Sequence, residues 1–206
     1  MLLPTLLHLS LLSLLPSTLA LALPQPSPSS STTTTPTLVP TGPEYHLRTR
    51  LANNSTAATK AQYNDLCLVA YHTGAAENDA VLYPGTEYCI KGFLNATQAS
   101  GESYQEFDLG NYWPYGLGLA YEPYAAWAPV RINAGQGDVG MVMAPEGLIS
   151  NATEFGGWMV CDWWHGDVQL FWRNKFEASG SLAVPQSCAE VFLVPTNRTV
   201  GGFLNS

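Results

Sequence analysis

The chain has 206 residues, with 16 acidic side chains against eight Lys and Arg, a formal net charge of −8 and only 12% charged residues. So few basic groups, none of them in a run, argue against nucleic acid and anionic membrane surfaces, which are held through clustered Lys and Arg. All of the charge lies beyond residue 43, and the chain before that point is of another kind.

Residues 1–22 form an apolar block, interrupted by Pro4 and Pro16 and closed by the small-x-small run Ala20, Leu21, Ala22. This is the pattern of a secretory signal peptide; no basic cluster flanks it to fix a membrane-spanning orientation. Residues 23–43 are rich in Ser, Thr and Pro and carry no charge. Such a segment buries too little surface to offset its ordering entropy, so a disordered linker is expected, with the composition of an O-glycosylated stalk. Nothing later approaches the ~20 continuous apolar residues of a membrane span. The final Val200 to Ser206 also lacks the hydrophobic tail of a lipid anchor. The expected product is secreted, extracellular or cell-wall associated, with no membrane insertion.

Residues 44–206 read as one β domain. Short apolar or alternating runs, separated by Gly- and Pro-bearing joints, predict strands over 45–51, 67–72, 87–94, 104–109, 116–121, 128–133, 139–144, 158–161, 168–172 and 191–195. Ser55 to Asp65 is the one helical candidate, though no apolar stripe sustains it. The densest stretch runs from Gly156 to Trp172 and holds Trp158, Trp163, Trp164 and Trp172. It predicts a hairpin turning near His165, Gly166 and Asp167, at the centre of the core. A second hairpin is expected over 128–144, with Ala134 to Asp138 as its turn. Spacing of about ten residues between strands predicts a single-domain antiparallel β-sandwich of jelly-roll or Ig-like type.

Four cysteines, Cys67, Cys89, Cys161 and Cys188, form an even set for an oxidising compartment. Three connectivities are possible; the expected one joins Cys67 to Cys89 and Cys161 to Cys188, each bridge contributing about 3 to 4 kcal/mol by the chain-entropy argument. No Cys-x-x-Cys pair occurs and the histidines are scattered, so neither a metal nor a cofactor is expected. Asn-x-Ser/Thr acceptors at Asn53 and Asn54 (overlapping), Asn95, Asn151 and Asn197 predict an N-glycoprotein.

Several segments carry a resemblance: Tyr45-His46-Leu47-Arg48-Thr49, Tyr71-His72-Thr73-Gly74-Ala75, Trp127-x-x-Val130-x-Ile132-x-x-Gly135, Trp158-x-Val160-Cys161, Leu170-Phe171-Trp172, and Cys188 before Val191-Phe192-Leu193. In this order they resemble a family of small secreted fungal proteins without assigned function. The resemblance covers nearly all of the mature domain. It implies a fungal exported protein and supports pairing Cys161 with Cys188, since both sit in shared segments, with Cys67 and Cys89 as an added pair. It brings no catalytic residues.

Function must then be sought in charge and aromatics. His72, and His165 between Asp162 and Asp167, are possible general bases, but a polar turn is the simpler role for the second group. No nucleophile elbow or zinc spacing appears. Carboxylate pairs for glycoside hydrolysis can be drawn from Glu102, Glu106, Asp108 and Glu122, as from any chain with this many acids. Binding has more support, because Tyr112, Trp113, Tyr115, Tyr121, Tyr124 and Trp127 lie in loop-like sequence broken by Pro and Gly. Rings in the loops of a β scaffold can stack on sugar faces or anchor a partner, although they can also fold inward over the core. Trp113, Tyr115 and Tyr124 are the candidate ligand-binding residues. The expected role is non-enzymatic: interaction with cell-wall polysaccharide or with a host or surface protein. A glycan-active hydrolase and an effector-like protein acting on a host partner are the alternatives.

Overall fold

A computed structural model describes residues 40–52, 58–96, 101–163, 166–177 and 184–199, with the side chains of the last stretch to residue 196. The expected signal peptide, most of the expected linker, Asn53, Asn54, Trp164, His165 and the side chain of Asn197 lie outside the described residues.

Twelve strands follow one another: β1 (Glu44–Leu51), β2 (Cys67–Gly74), β3 (Glu77–Tyr83), β4 (Lys91–Ala96), β5 (Ser103–Asp108), β6 (Tyr115–Leu119), β7 (Trp127–Ala134), β8 (Met141–Ala144), β9 (Gly147–Ser150), β10 (Phe155–Asp162), β11 (Val168–Asn174) and β12 (Cys188–Thr199). The all-β expectation holds, but the sandwich does not. Nine antiparallel strands close into a barrel in the order β1-β4-β5-β6-β7-β3-β11-β10-β12, and β12 returns to β1. The closing seam runs from His46 opposite Thr196 to Leu51 opposite Val191. With that seam made, the sheet wraps round its own apolar face and needs no second sheet to bury it. β2 is the hairpin partner of β3, touching β1 where Cys67 faces Arg48, and the β8–β9 hairpin joins β12 through Leu148 opposite Leu193.

Alternation sorts the side chains. In β7, Ala128, Val130 and Ile132 enter the core, while Arg131 and Asn133 point away from it. The same rule places Leu117 inside and Gly116 and Gly118 outside on β6, since these glycines face Asn133 and Arg131 in register. The hairpin expected within Gly156 to Trp172 is present as β10 and β11, with Trp158 opposite Trp172 and both rings in the core. Trp158 Nε1 donates to Leu148 O and Trp172 Nε1 to Ala120 O, which satisfies the one polar atom each indole carries.

The outer face of β10, β11 and β12 is also covered. Met159, Cys161, Phe171 and Cys188 make a second buried cluster there, packed by Trp127 and Val184. Cys161 and Cys188 face each other across β10 and β12 and are bonded. Cys67 and Cys89 form the other bridge, so the expected connectivity is found, with sequence separations of 22 and 27. The Cys67–Cys89 loop is also held by Arg48, which donates to Asp65 Oδ1 at 2.7 Å and to Gly85 O at 2.8 Å.

Three local expectations are revised. The helical candidate is a 3₁₀ turn over Ala58–Tyr63 in its described part, anchored by the buried Tyr63 rather than by an apolar stripe. The strand expected over 87–94 begins only at Lys91, because Thr86 to Cys89 makes a turn closed by Cys89 N donating to Thr86 O. The hairpin expected over 128–144 is absent: β7 pairs with β6, β11 and β3, and β8 pairs with β9. The glycines that suggested its turn, Gly135 (φ 115°) and Gly137 (φ 76°), serve another purpose.

Candidate glycine-floored groove

Beyond β7 the chain crosses over β6 as a strap. Gly135 N donates to Pro114 O at 3.0 Å, and Asp138 N donates to Leu117 O at 2.9 Å. Leu119 N returns a bond to Asp138 Oδ2 at 2.6 Å. The strap passes so close to Gly116 that a Cβ there would collide with the backbone of Gln136 and Gly137. A glycine at 116 is therefore a packing requirement.

Gly118, two residues on and on the same side of the strand, is different. A Cβ built there meets nothing within 4 Å. The space above it is a cavity of about 280 Å³ lined by Gly118, Leu119, Arg131, Asn133, Gly137 and Asp138. A second cavity of about 330 Å³ shares Leu119 and Asp138 with it and adds Tyr121, Val139, Glu154 and Trp172. The shared lining makes one groove along β6, from the strap to the β6–β7 loop. Glycine floors its strap end only; the far end is lined by Leu119 and Trp172 and edged by Tyr121, which is 73% exposed, and the polar groups along it are a guanidinium, carboxylates and an amide. Such a surface can bind: backbone is within reach, a ring face is available, and donors and acceptors alternate.

The predicted binding residues are placed unevenly. Trp113 is 49% exposed on the β5–β6 loop and lies against Tyr112, with ring centroids 3.6 Å apart. Tyr124 is 91% exposed on the β6–β7 loop, with φ at 63°. Tyr115, the first residue of β6, is half-buried against the core, and Asn111 Nδ2 donates to its hydroxyl at 3.4 Å. Successive loops of an antiparallel sheet lie at opposite ends of the strand between them. Trp113 and Tyr124 are thus divided by the length of β6, roughly 15 Å at ~3.4 Å per residue. The three do not converge on one spot. None of the three lines the groove, and the residues that do were missed, apart from Tyr121. The alternation Gly116-Leu117-Gly118-Leu119 was the available signal, because glycine inside a strand marks close approach of a backbone or a ligand.

The alternative chemistries find less. Glu106 is 2% exposed and accepts from Asn95 Nδ2 through both oxygens, at 3.3 and 3.2 Å. Burial raises its carboxyl above the usual glutamate range, and the Asn95 bond offsets part of that rise. Asp108 lines a separate cavity with Lys91 and Cys89, while Glu102 precedes β5 and Glu122 is on the β6–β7 loop. None of the cavities described here brings two of these four carboxylates together. His72 is exposed near the tip of the β2–β3 hairpin, opposite Asn78. Asp167 accepts from Tyr83 at 3.1 Å; burial first, and then this bond, raise the Tyr83 phenol. Asp162 is exposed and Trp163 packs edge-on against Phe171 at 5.2 Å. Among the described residues no group of three His, Cys, Asp or Glu could hold a metal ion.

Of the expected glycosylation sites, Asn151 is exposed in the turn after β9, and Asn95 is half-buried with its amide turned to Glu106. No helix among the described residues is long and apolar enough to cross a membrane.

Comparison with known proteins gives a family and no activity. No curated protein and no solved structure matches the chain. Residues 42–197 match a domain of unknown function, DUF7907, and since that match spans the barrel from β1 nearly to the end of β12, the chain belongs to the DUF7907 family.

Proposed function

We propose that this protein is a non-enzymatic, exported binding protein whose groove along β6 takes carbohydrate, with a cell wall or another glycan-bearing surface as its place of action. One observation carries the reading: an open glycine floor at Gly118 continues into a slot beside the exposed ring of Tyr121. A sugar ring needs a flat apolar face and hydroxyl partners at its edge. Tyr121 supplies the face; Arg131, Asn133, Asp138 and Glu154 supply partners. The two disulfides suit an oxidising compartment, and the resemblance to small secreted fungal proteins supports a fungal surface.

The test is a glycan array with the purified protein beside a Tyr121→Ala, Tyr124→Ala variant, with thermal unfolding recorded for both. The expected result is selective glycan binding that falls at least about tenfold in a variant of unchanged stability, the loss of one stacking face being worth on the order of 1 to 3 kcal/mol. Absence of binding by the unaltered protein would refute the reading.

A further inference from the structure

We infer that the groove selects neutral glycans and rejects acidic ones. The inference rests on the carbohydrate reading above and concerns the ligand class of the same groove.

The argument is one of charge and hydrogen-bonding capacity along the groove. Going from the strap to the β6–β7 loop, a ligand passes Arg131 and Asn133, then Asp138, then Tyr121 and Glu154. Arg131 is the one cation lining it, against the two carboxylates, and Asp79 of β3 stands opposite Arg131 in register. The ion pairs among the described residues join Arg48 to Asp65, Lys91 to Glu44 and Arg173 to Glu190. Among the described residues, Asp138 and Glu154 are thus in no ion pair.

Each carboxylate is nevertheless half-committed. Asp138 Oδ2 accepts from Leu119 N, and Glu154 Oε2 accepts from Thr153 Oγ1 at 3.1 Å. The remaining oxygens are fixed acceptors, and Arg131 is a fixed donor. Hydroxyl groups donate and accept, so a neutral sugar can use both kinds of partner. A polyuronide carries a carboxylate on every ring. If one of them paired with Arg131, its neighbours along the chain would still lie against Asp138 and Glu154, within a Debye length of both. The net charge of −8 adds repulsion at longer range.

The experiment is affinity electrophoresis of the purified protein in native gels containing hydroxyethyl cellulose or polygalacturonate, at low and at physiological salt. It is repeated with Asp138→Asn, Glu154→Gln and with a triple variant that adds Arg131→Gln. Asn at 138 keeps an acceptor for Leu119 N, and thermal unfolding checks that each variant remains folded. The expected result is retardation of the unaltered protein by the neutral polymer, at least about tenfold stronger at low salt than by polygalacturonate. The double variant gains retardation by polygalacturonate, and Arg131→Gln removes that gain. Equal or stronger retardation of the unaltered protein by polygalacturonate would overturn the inference while leaving carbohydrate binding intact. Retardation by neither polymer, together with a blank glycan array, would overturn both.

Discussion

Two sections of the barrel wall use their outer faces in opposite ways. On β10, β11 and β12 the outward positions hold Met159, Cys161, Phe171 and Cys188, all buried, with a disulfide among them. On β6 and β7 they hold Gly116, Gly118, Arg131 and Asn133. The inner faces of both sections are alike, made of Leu, Val, Ile, Ala and Trp packed in one core. The contrast lies outside: large side chains thicken the wall where stability is built, and glycines thin it where something must come close. The strap that comes close at Gly116 belongs to the chain itself, and what comes close at Gly118 is, on our reading, a ligand.

Substitutions can break this contrast, and the thick side should respond most. Phe171→Ala leaves a hole in the outer cluster and should cost about 3 to 5 kcal/mol, read by chemical denaturation. Gly116→Val drives a side chain into the strap backbone and should cost about 3 kcal/mol, lowering Tm by roughly 10 °C in a chain of this size. A value near zero for either would mean that the wall is not built as described.

The third prediction concerns Glu106, buried away from the barrel interior on β5. Its carboxyl is raised above the ordinary value of 4.5, so the folded state holds the proton more tightly than the unfolded state. The stability that follows is fully present below about pH 4.5, and it is lost as pH rises through the folded-state value. Glu106→Gln should therefore raise Tm at pH 7, and the difference should shrink toward pH 4. Melting curves of both proteins from pH 4 to 8 would check the sign; a variant less stable at pH 7 would contradict it.

Much of the wall was legible from local pattern. β1, β2, β5, β7, β10 and β11 follow alternation or aromatic and β-branched runs. β3 was not seen, because Glu77-Asn78-Asp79 reads as a turn. Asn78 is in fact buried, and its side-chain amide donates to Ile132 O at 2.7 Å, so a tertiary contact satisfies what local chemistry leaves open. β9 has four residues, too few to show a period. Closure into a barrel had no local signature at all: it depends on His46 meeting Thr196, 150 residues away. The groove was half legible. Glycines at 116 and 118 announce close approach, but only the path of the strap tells which is covered and which is open.

That distinction supplies the most direct measurement, because Gly118 has neither a positive φ nor a neighbour in the way of a side chain. Gly118→Val fills the groove with a residue that suits a strand, so Tm should hold or rise by a degree or two, while binding to the glycan found on the array should fall at least about tenfold. Full binding by a folded Gly118→Val protein would contradict the account and place any ligand elsewhere on the barrel.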